Sequence, residues 1–184
     1  MRERLWTISN ALSILRIVIV VPIVLLLLED DPALRWWAVV LMGAAALTDT
    51  LDGYFARLFN QESTFGRLLD PVADKVAVAA VVVTLALRGL LPLWFLALAA
   101  VRDVLILAGG LYVKKVKGMI LQSTFVGKAA VTVVAALLIV VAIPLQVVPE
   151  LKNGLLFLSS LMLIASFAAY FKRFVSVMSE EGKA

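Results

Sequence analysis

Six apolar stretches, each about as long as a bilayer is thick, constrain this chain more than any other feature. A helix that crosses the hydrocarbon core needs about 20 predominantly apolar residues. Stretches of that kind run over Asn10–Leu28, Leu34–Phe59, Gly66–Arg88, Leu91–Val113, Thr124–Ile143 and Leu151–Phe171. The linkers are short and carry charges or helix breakers: Glu29-Asp30-Asp31-Pro32, Asn60-Gln61-Glu62-Ser63, Gly89 with Pro92, Lys114 to Gly118, and Pro144 with Pro149. Lipid offers backbone groups no hydrogen-bond partner, so stretches of this length fold as helices. The pattern predicts an all-α integral membrane protein with six transmembrane helices. Composition agrees, at 63% hydrophobic, 16% charged and a mean hydropathy of +1.04. A soluble domain is about 45–50% apolar and about 25% charged, and a soluble chain this apolar would expose large patches. Without a long-period repeat or a second compositional regime, residues 1–184 read as a single membrane domain.

Orientation follows from Lys and Arg. Arg2, Arg4, Arg57, Arg67, Lys114, Lys115, Lys117, Lys172, Arg173 and Lys183 fall at one set of segment ends, and Arg35, Arg88 and Lys152 at the other. The positive-inside rule then places both termini in the cytoplasm, as an even number of spans requires. The first 28 residues have the basic start and apolar run of a signal peptide, but Glu-Asp-Asp-Pro follows where a small-residue cleavage site would stand. The first helix is therefore expected to be retained. Arg2–Ser9 is expected to form a short interfacial helix with Leu5, Trp6 and Ile8 toward lipid. The polar tail Met178–Ala184 is expected to fray.

The chemistry open to the chain is narrow. It has neither Cys nor His, which excludes disulfides, thiolate sites and the commonest general base and zinc ligand. Carboxylates, Lys, Tyr and backbone remain, and oxygen donors suit hard cations such as Mg²⁺, Mn²⁺ or Ca²⁺. Eight of the 13 acidic residues sit at termini or in linkers; Asp49, Asp52, Asp70, Asp74 and Asp103 fall inside apolar segments. Charges in mid-membrane are costly and mark functional sites by default. Asp49 and Asp52 are spaced i,i+3 on one helix face, with Ala56 and Arg57 a turn later. Gly66, Asp70 and Asp74 form a second stripe at intervals of four. A short linker makes the second and third segments antiparallel neighbours, so four carboxylates can converge near the cytoplasmic surface. Their mutual repulsion in low dielectric calls for divalent cations. Gly53 and Gly66 leave room beside the aspartates, and Arg57 offers a planar fork to a phosphate. Singly, these groups also read as structural ion pairs near helix ends.

The run Asp49-Thr-Leu-Asp52-Gly53-Tyr-Phe-Ala56-Arg57, eight residues, Gly66, three residues, Asp70, three residues, Asp74 resembles the signature of the CDP-alcohol phosphotransferases, D-x2-D-G-x2-A-R-x8-G-x3-D-x3-D, at all eight fixed positions. The resemblance implies a two-metal site that holds Mg²⁺ or Mn²⁺, with Asp49, Asp52 and Asp70 as ligands and Asp74 as a ligand or the general base. It implies a CDP pocket lined by Gly53, Ala56, Arg57 and Gly66. The first segment adds Asn10, Ser13 and Arg16, in a stretch (Asn-Ala-Leu-Ser-Ile-Leu-Arg) similar to the opening of the family's phosphatidylglycerophosphate and cardiolipin synthases; it reads equally as a helix cap with a snorkelling Arg. The implied reaction is metal-dependent transfer of the phosphatidyl group from CDP-diacylglycerol to a glycerol-type hydroxyl, with release of CMP, in one displacement step. The implied place is the inner membrane, multi-pass, with the active site facing the cytoplasm. A homodimer is implied as well, and no nucleic-acid partner is expected.

The acceptor is read from smaller differences. Arg102, Lys114, Lys115, Lys117 and Lys128 are candidates for a phosphorylated acceptor, and Gly127-Lys128 resembles the phosphatidylglycerophosphate synthases. Those synthases show Arg-Glu on the fourth segment with a second Arg two turns on; here Arg102-Asp103 and Gly109-Gly110 occupy those places. Arg-Asp-Val-Leu-Ile looks more like the family's cardiolipin synthases, whose acceptor is phosphatidylglycerol, and the balance tips slightly that way. Arg102 and Asp103 read equally as interhelical pairing. As sequence neighbours they point to different faces, so each calls for a separate partner. A transporter lined by intramembrane acids explains the carboxylates but not the Gly-Ala-Arg companions or their spacing.

Overall fold

The computed structural model describes the backbone of residues 8–59, 66–119, 124–144 and 149–179, and the side chains of 17–48, 75–119, 124–144 and 149–179. The described residues form six helices and no strand: α1 (Ile8–Leu28), α2 (Pro32–Phe59), α3 (Gly66–Leu87), α4 (Leu93–Lys117), α5 (Phe125–Ala142) and α6 (Pro149–Ser179). Three of them, α4, α5 and α6, are long and apolar enough throughout their described residues to cross a membrane. Apolar runs also occupy Ile17–Leu28, Pro32–Thr48 and Lys75–Leu87.

The helix ends follow from local chemistry. Asp31 caps α2: its Oδ1 accepts the Ala33 N–H at 2.8 Å, and Pro32 takes the first helical position, where no N–H is needed. α3 closes on Gly89, whose φ of 69° is left-handed. The Leu90 N–H reaches the Leu85 carbonyl at 2.9 Å and the Gly89 N–H reaches that of Ala86 at 3.0 Å, the paired bonds of a Schellman turn. Thr124 caps α5 by accepting the Gly127 N–H at 3.1 Å. Hydroxyls inside helices bond back to a carbonyl one turn earlier, as Thr84 does to Ala80 at 2.7 Å and Ser160 to Leu156 at 2.7 Å, so they can sit in an apolar environment.

Two helices outrun their apolar stretches. α4 continues past Val113 through Lys114, Lys115 and Lys117 to a left-handed Gly118, so most of the expected linker is helix. α6 runs 31 residues, about 46 Å at 1.5 Å per residue, against a hydrocarbon core of about 30 Å. Apolarity stops where lipid stops; helicity continues wherever backbone pairing does. The lysines of α4 sit on its C-terminal turn, where cations meet the negative end of the helix dipole. Of the expected interfacial helix, Ile8 and Ser9 belong to α1 and residues 2–7 lie outside the described residues, as does the tail beyond Ser179.

The chain divides into two units, Met1–Leu91 with Leu138–Val147, and Pro92–Leu137 with Val148–Ala184. In the first, α1 packs on both α2 and α3. Its core joins Ile23 and Leu27 of α1, Ala38 and Met42 of α2, and Val81, Val82 and Leu85 of α3. In the second, α4 packs on α6. The buried residues of α6 are Ser159, Leu163, Ser166 and Tyr170, a single stripe at helical spacing. Both units leave large apolar side chains exposed, among them Trp37, Leu47, Leu87, Leu93, Phe125 and Phe157. Faces of that kind require an apolar solvent. Exposed tryptophans on the second turn of α2 (Trp36, Trp37) and the first turn of α4 (Trp94) are of the type that anchors helices at the membrane interface.

Candidate functional site

The eight signature positions fall on two unbroken helices of the first unit. Asp49, Asp52, Gly53, Ala56 and Arg57 lie on α2, and Gly66, Asp70 and Asp74 on α3. At 3.6 residues per turn, positions 49, 52 and 56 share a face of α2, and 66, 70 and 74 share a face of α3. The side chains of these residues lie outside the described residues, as do those of Asn10, Ser13 and Arg16 on α1. Among the described residues no group of three or more His, Cys, Asp or Glu gathers to hold a metal. The donor set at 49, 52, 70 and 74 is all oxygen, which suits hard divalent cations such as Mg²⁺ or Mn²⁺.

A second polar cluster lies within the other unit. Arg102 is on α4, its side chain only 11% exposed. Its Nη1 donates to Asp103 Oδ1 at 2.6 Å and its Nη2 to the Ser166 hydroxyl of α6 at 2.5 Å. The expectation that Arg102 and Asp103 need separate partners is therefore corrected. Neighbouring positions on a helix are offset by about 100°, but the long, flexible Arg side chain bridges that offset. A low-dielectric setting strengthens the attraction between the two charges. Ser166 is buried, and Gly127 of α5 lies against it: a Cβ at Gly127 would stand 3.4 Å from Ser166 Oγ and 3.2 Å from Thr124 Oγ1. Lys128, the next residue, is exposed.

Gly109 and Gly110 of α4 receive Tyr170 of α6. A Cβ at Gly109 would meet the Tyr170 ring and hydroxyl at 3.2 Å, and one at Gly110 the hydroxyl at 3.3 Å. The Gly109-Gly110 pair, where the resemblance would set a second Arg, is the seat of an aromatic ring. The buried Tyr170 hydroxyl has no hydrogen-bond partner among the described residues. Sequence reasoning registered the Gly-Gly pair as a missing cation; the spacing of Ser166 and Tyr170 on α6 was the signal for a facing groove.

Two arginines at the sparsely basic segment ends also have specific work. Arg88 donates to the Leu28 carbonyl at 2.6 Å, to the Glu29 carbonyl at 3.3 Å and to Asp30 Oδ1 at 2.6 Å, closing the C-terminus of α1. Arg35 donates to the Ala142 carbonyl at 3.2 Å, at the end of α5. Both satisfy carbonyls that a helix end leaves open, where a cation is favoured.

Comparison with known proteins bears on all of this. The sequence model of the family described as CDP-alcohol phosphatidyltransferase matches residues 6–171, nearly the whole chain. The chain is 38% identical over 113 residues to a cardiolipin synthase (CMP-forming) of Rattus norvegicus, covering 61% of this chain and 36% of that protein. It is 36% identical over 90 residues to a Streptomyces coelicolor protein of the same name, covering 49% of this chain and 42% of that one. A Cereibacter sphaeroides CDP-diacylglycerol–glycerol-3-phosphate 3-phosphatidyltransferase is 39% identical over 82 residues, covering 43% and 37%. The chain spans between 34% and 61% of the length of the first curated relatives it matches.

Proposed function

Because the chain belongs to the CDP-alcohol phosphatidyltransferase family, we propose that it transfers the phosphatidyl group of CDP-diacylglycerol to a glycerol-type hydroxyl and releases CMP. The observation that carries the proposal is the complete eight-position signature, set on two continuous helices and enclosed by the family match. Asp49, Asp52, Asp70 and Asp74 would hold two divalent cations, Mg²⁺ or Mn²⁺, which when bound neutralise charge on the pyrophosphate and on departing CMP. Arg57 gives a phosphate oxygen a bidentate partner. Gly53, Ala56 and Gly66 keep the helix faces low enough for the cytidine diphosphate to approach, and Asn10 supplies a hydrogen bond to it. Asp74, as a ligand or as the general base, would take the proton of the acceptor hydroxyl in the second of those roles. The acceptor oxygen bonds to the β-phosphorus as the bond to the CMP oxygen breaks. Residues 1–184 act as one multi-pass domain of the cytoplasmic membrane with both termini and the site on the cytoplasmic side, and the chain works as a homodimer.

For the acceptor we infer phosphatidylglycerol, giving cardiolipin. Arg102 and Lys128 are assigned as acceptor contacts. The charge of Arg102 is already matched by Asp103, and Gly109 and Gly110 are covered by Tyr170. That arrangement suits a phosphodiester with one negative charge, whose acyl chains supply further affinity, better than the dianion of glycerol 3-phosphate. The second reading, glycerol 3-phosphate, is favoured by the exposed Lys128 and by the name of the Cereibacter relative. Incubating the purified chain with CDP-diacylglycerol and each acceptor in turn, with lipid products identified by mass, separates them. Cardiolipin from phosphatidylglycerol is the expected product; phosphatidylglycerophosphate alone would replace the first reading by the second.

A further inference from the structure

We propose that Lys75 of α3 holds the phosphate of the acceptor while the acceptor hydroxyl lies at Asp74, the residue beside it. This rests on the reaction proposed above. Lys75 is the tenth of the 22 residues of α3, and from Val76 to Leu87 the helix carries no charge. An unmatched charge in such a stretch is costly and marks a functional group by default. The helix offers no counter-charge: the neighbours three and four positions away are Pro71, Val72, Val78 and Ala79. Lys75 is exposed and makes no hydrogen bond or ion pair among the described residues. Other cations in the apolar segments are held from within the chain, Arg88 by Asp30, Arg102 by Asp103 and Arg35 by the Ala142 carbonyl. The anion for Lys75 has to come from outside, and the reaction brings phosphates.

The faces of α3 show which phosphate. Positions 70, 74, 77, 81 and 85 follow one line along the helix, at intervals of three and four. Ala77, Val81 and Leu85 are buried and α3 packs on α1, so the acid stripe continues the packed face. Position 75 lies about 100° round from position 74, on the line of Ala79, Val82 and Ala86. That line is buried at Val82 and Ala86 and open at Ala79 and Lys75. Lys75, Ala79, Val83 and Leu87, spaced by four, form an exposed strip with a cation at its cytoplasmic end. The strip is about 18 Å long at 1.5 Å per residue, against about 15 Å for half of the hydrocarbon core. An acyl chain can lie along it with its phosphate at Lys75. Phosphatidylglycerol and glycerol 3-phosphate both carry a phosphate at one end of a glycerol unit and a free hydroxyl at the other. Neighbouring residues, with Cα atoms about 3.8 Å apart and a flexible four-carbon stem on the lysine, can serve both ends. One ammonium matches the single charge of the phosphodiester, and the strip takes acyl chains, so the arrangement favours the lipid.

The test measures KM for donor and acceptor, kcat and thermal stability on the full-length chain in mixed micelles with CDP-diacylglycerol, Mg²⁺ and each acceptor in turn. Lys75→Met keeps the stem and removes the charge. It should raise the KM for phosphatidylglycerol about tenfold to a hundredfold, the worth of a hydrogen bond to a charged group. The CDP-diacylglycerol KM and kcat should stay within about twofold, and stability should be unchanged or higher, since a charge leaves an apolar stretch. Lys75→Arg, which keeps the charge, should restore most of the affinity. Ala79→Trp, which fills the strip one turn deeper, should raise the KM for phosphatidylglycerol and leave any turnover of glycerol 3-phosphate as it was. A rise confined to glycerol 3-phosphate would mean that the phosphate arrives free, which overturns the lipid seat. A rise in the CDP-diacylglycerol KM instead would give Lys75 to the donor, and lost stability with both KM values unchanged would make it a structural anchor. Either result, or a Lys75→Met chain indistinguishable from the unsubstituted one, overturns the proposal while the reaction stands. An unsubstituted chain that releases no CMP with either acceptor removes the reaction and the proposal with it.

Discussion

The acids of α2 and α3 and the acid of α4 are the same side chain in the same kind of apolar segment, yet they differ in company. Four aspartates lie on two helical stripes, with two arginines, Arg57 and Arg67, in the stretch that carries them. Asp103 has a cation of its own, Arg102, at 2.6 Å. A matched pair is nearly neutral and has little left to offer a metal. A cluster in which carboxylates outnumber cations must import positive charge, and oxygen-rich sites do so with divalent ions. The number of acids in a membrane segment is thus a weaker guide to chemistry than their excess over nearby cations.

The largest effect that can break this comparison is on turnover. Asp49→Asn, Asp52→Asn and Asp70→Asn should each lower kcat by about a thousandfold or more, as loss of transition-state charge stabilisation does. Asp103→Asn, which keeps an oxygen for Arg102, should cost less than about tenfold. Equal damage from Asp103→Asn and Asp70→Asn, in protein that still inserts and folds, would erase the distinction. Next in size is the metal dependence: excess EDTA should abolish CMP release, and Mg²⁺ or Mn²⁺ should restore it. Full turnover in chelator would leave the four aspartates without their assigned role.

Smaller effects sharpen the packing side. Gly109→Ala places a methyl 3.2 Å from Tyr170 and should lower thermal stability in detergent by about 1–3 kcal/mol, partly offset by the better helix propensity of Ala. Tyr170→Phe removes a buried hydroxyl without a described partner; it should be neutral or stabilising, and should relieve part of the Gly109→Ala penalty. A strongly destabilised Tyr170→Phe would mean the hydroxyl has a partner. The smallest effect concerns Asp30, whose side chain is 96% exposed where it meets Arg88. Asp30→Ala should change stability by less than about 1 kcal/mol, and salt should mask it.

Much of this was legible in the sequence. Hydropathy placed all six helices, and Asp31-Pro32, Gly89 and Gly118 marked ends where caps now stand. The signature could be read because its spacing is local: positions three and four apart on a helix share a face whatever surrounds them. Other features could not be read, because they depend on what faces a helix. Arg102 curls back to Asp103 because Ser166 of another helix holds its far end, and no rule of spacing within α4 contains that. Gly109-Gly110 looked like a missing arginine until Tyr170 filled the place. Arg35 and Arg88 read only as charges at the sparsely basic set of segment ends; they serve helix carbonyls more than 50 residues away in sequence. The ends of α4 and α6 were set too early because apolarity was used to mark them.

The most direct test of the central claim is the stoichiometry of the reaction. Purified full-length chain in detergent micelles, given CDP-diacylglycerol, phosphatidylglycerol and Mg²⁺, should release CMP in one-to-one ratio with cardiolipin, and Asp70→Asn should abolish both. A chain that folds and binds CDP-diacylglycerol but releases no CMP with phosphatidylglycerol, glycerol 3-phosphate or any other glycerol-type acceptor would contradict the account.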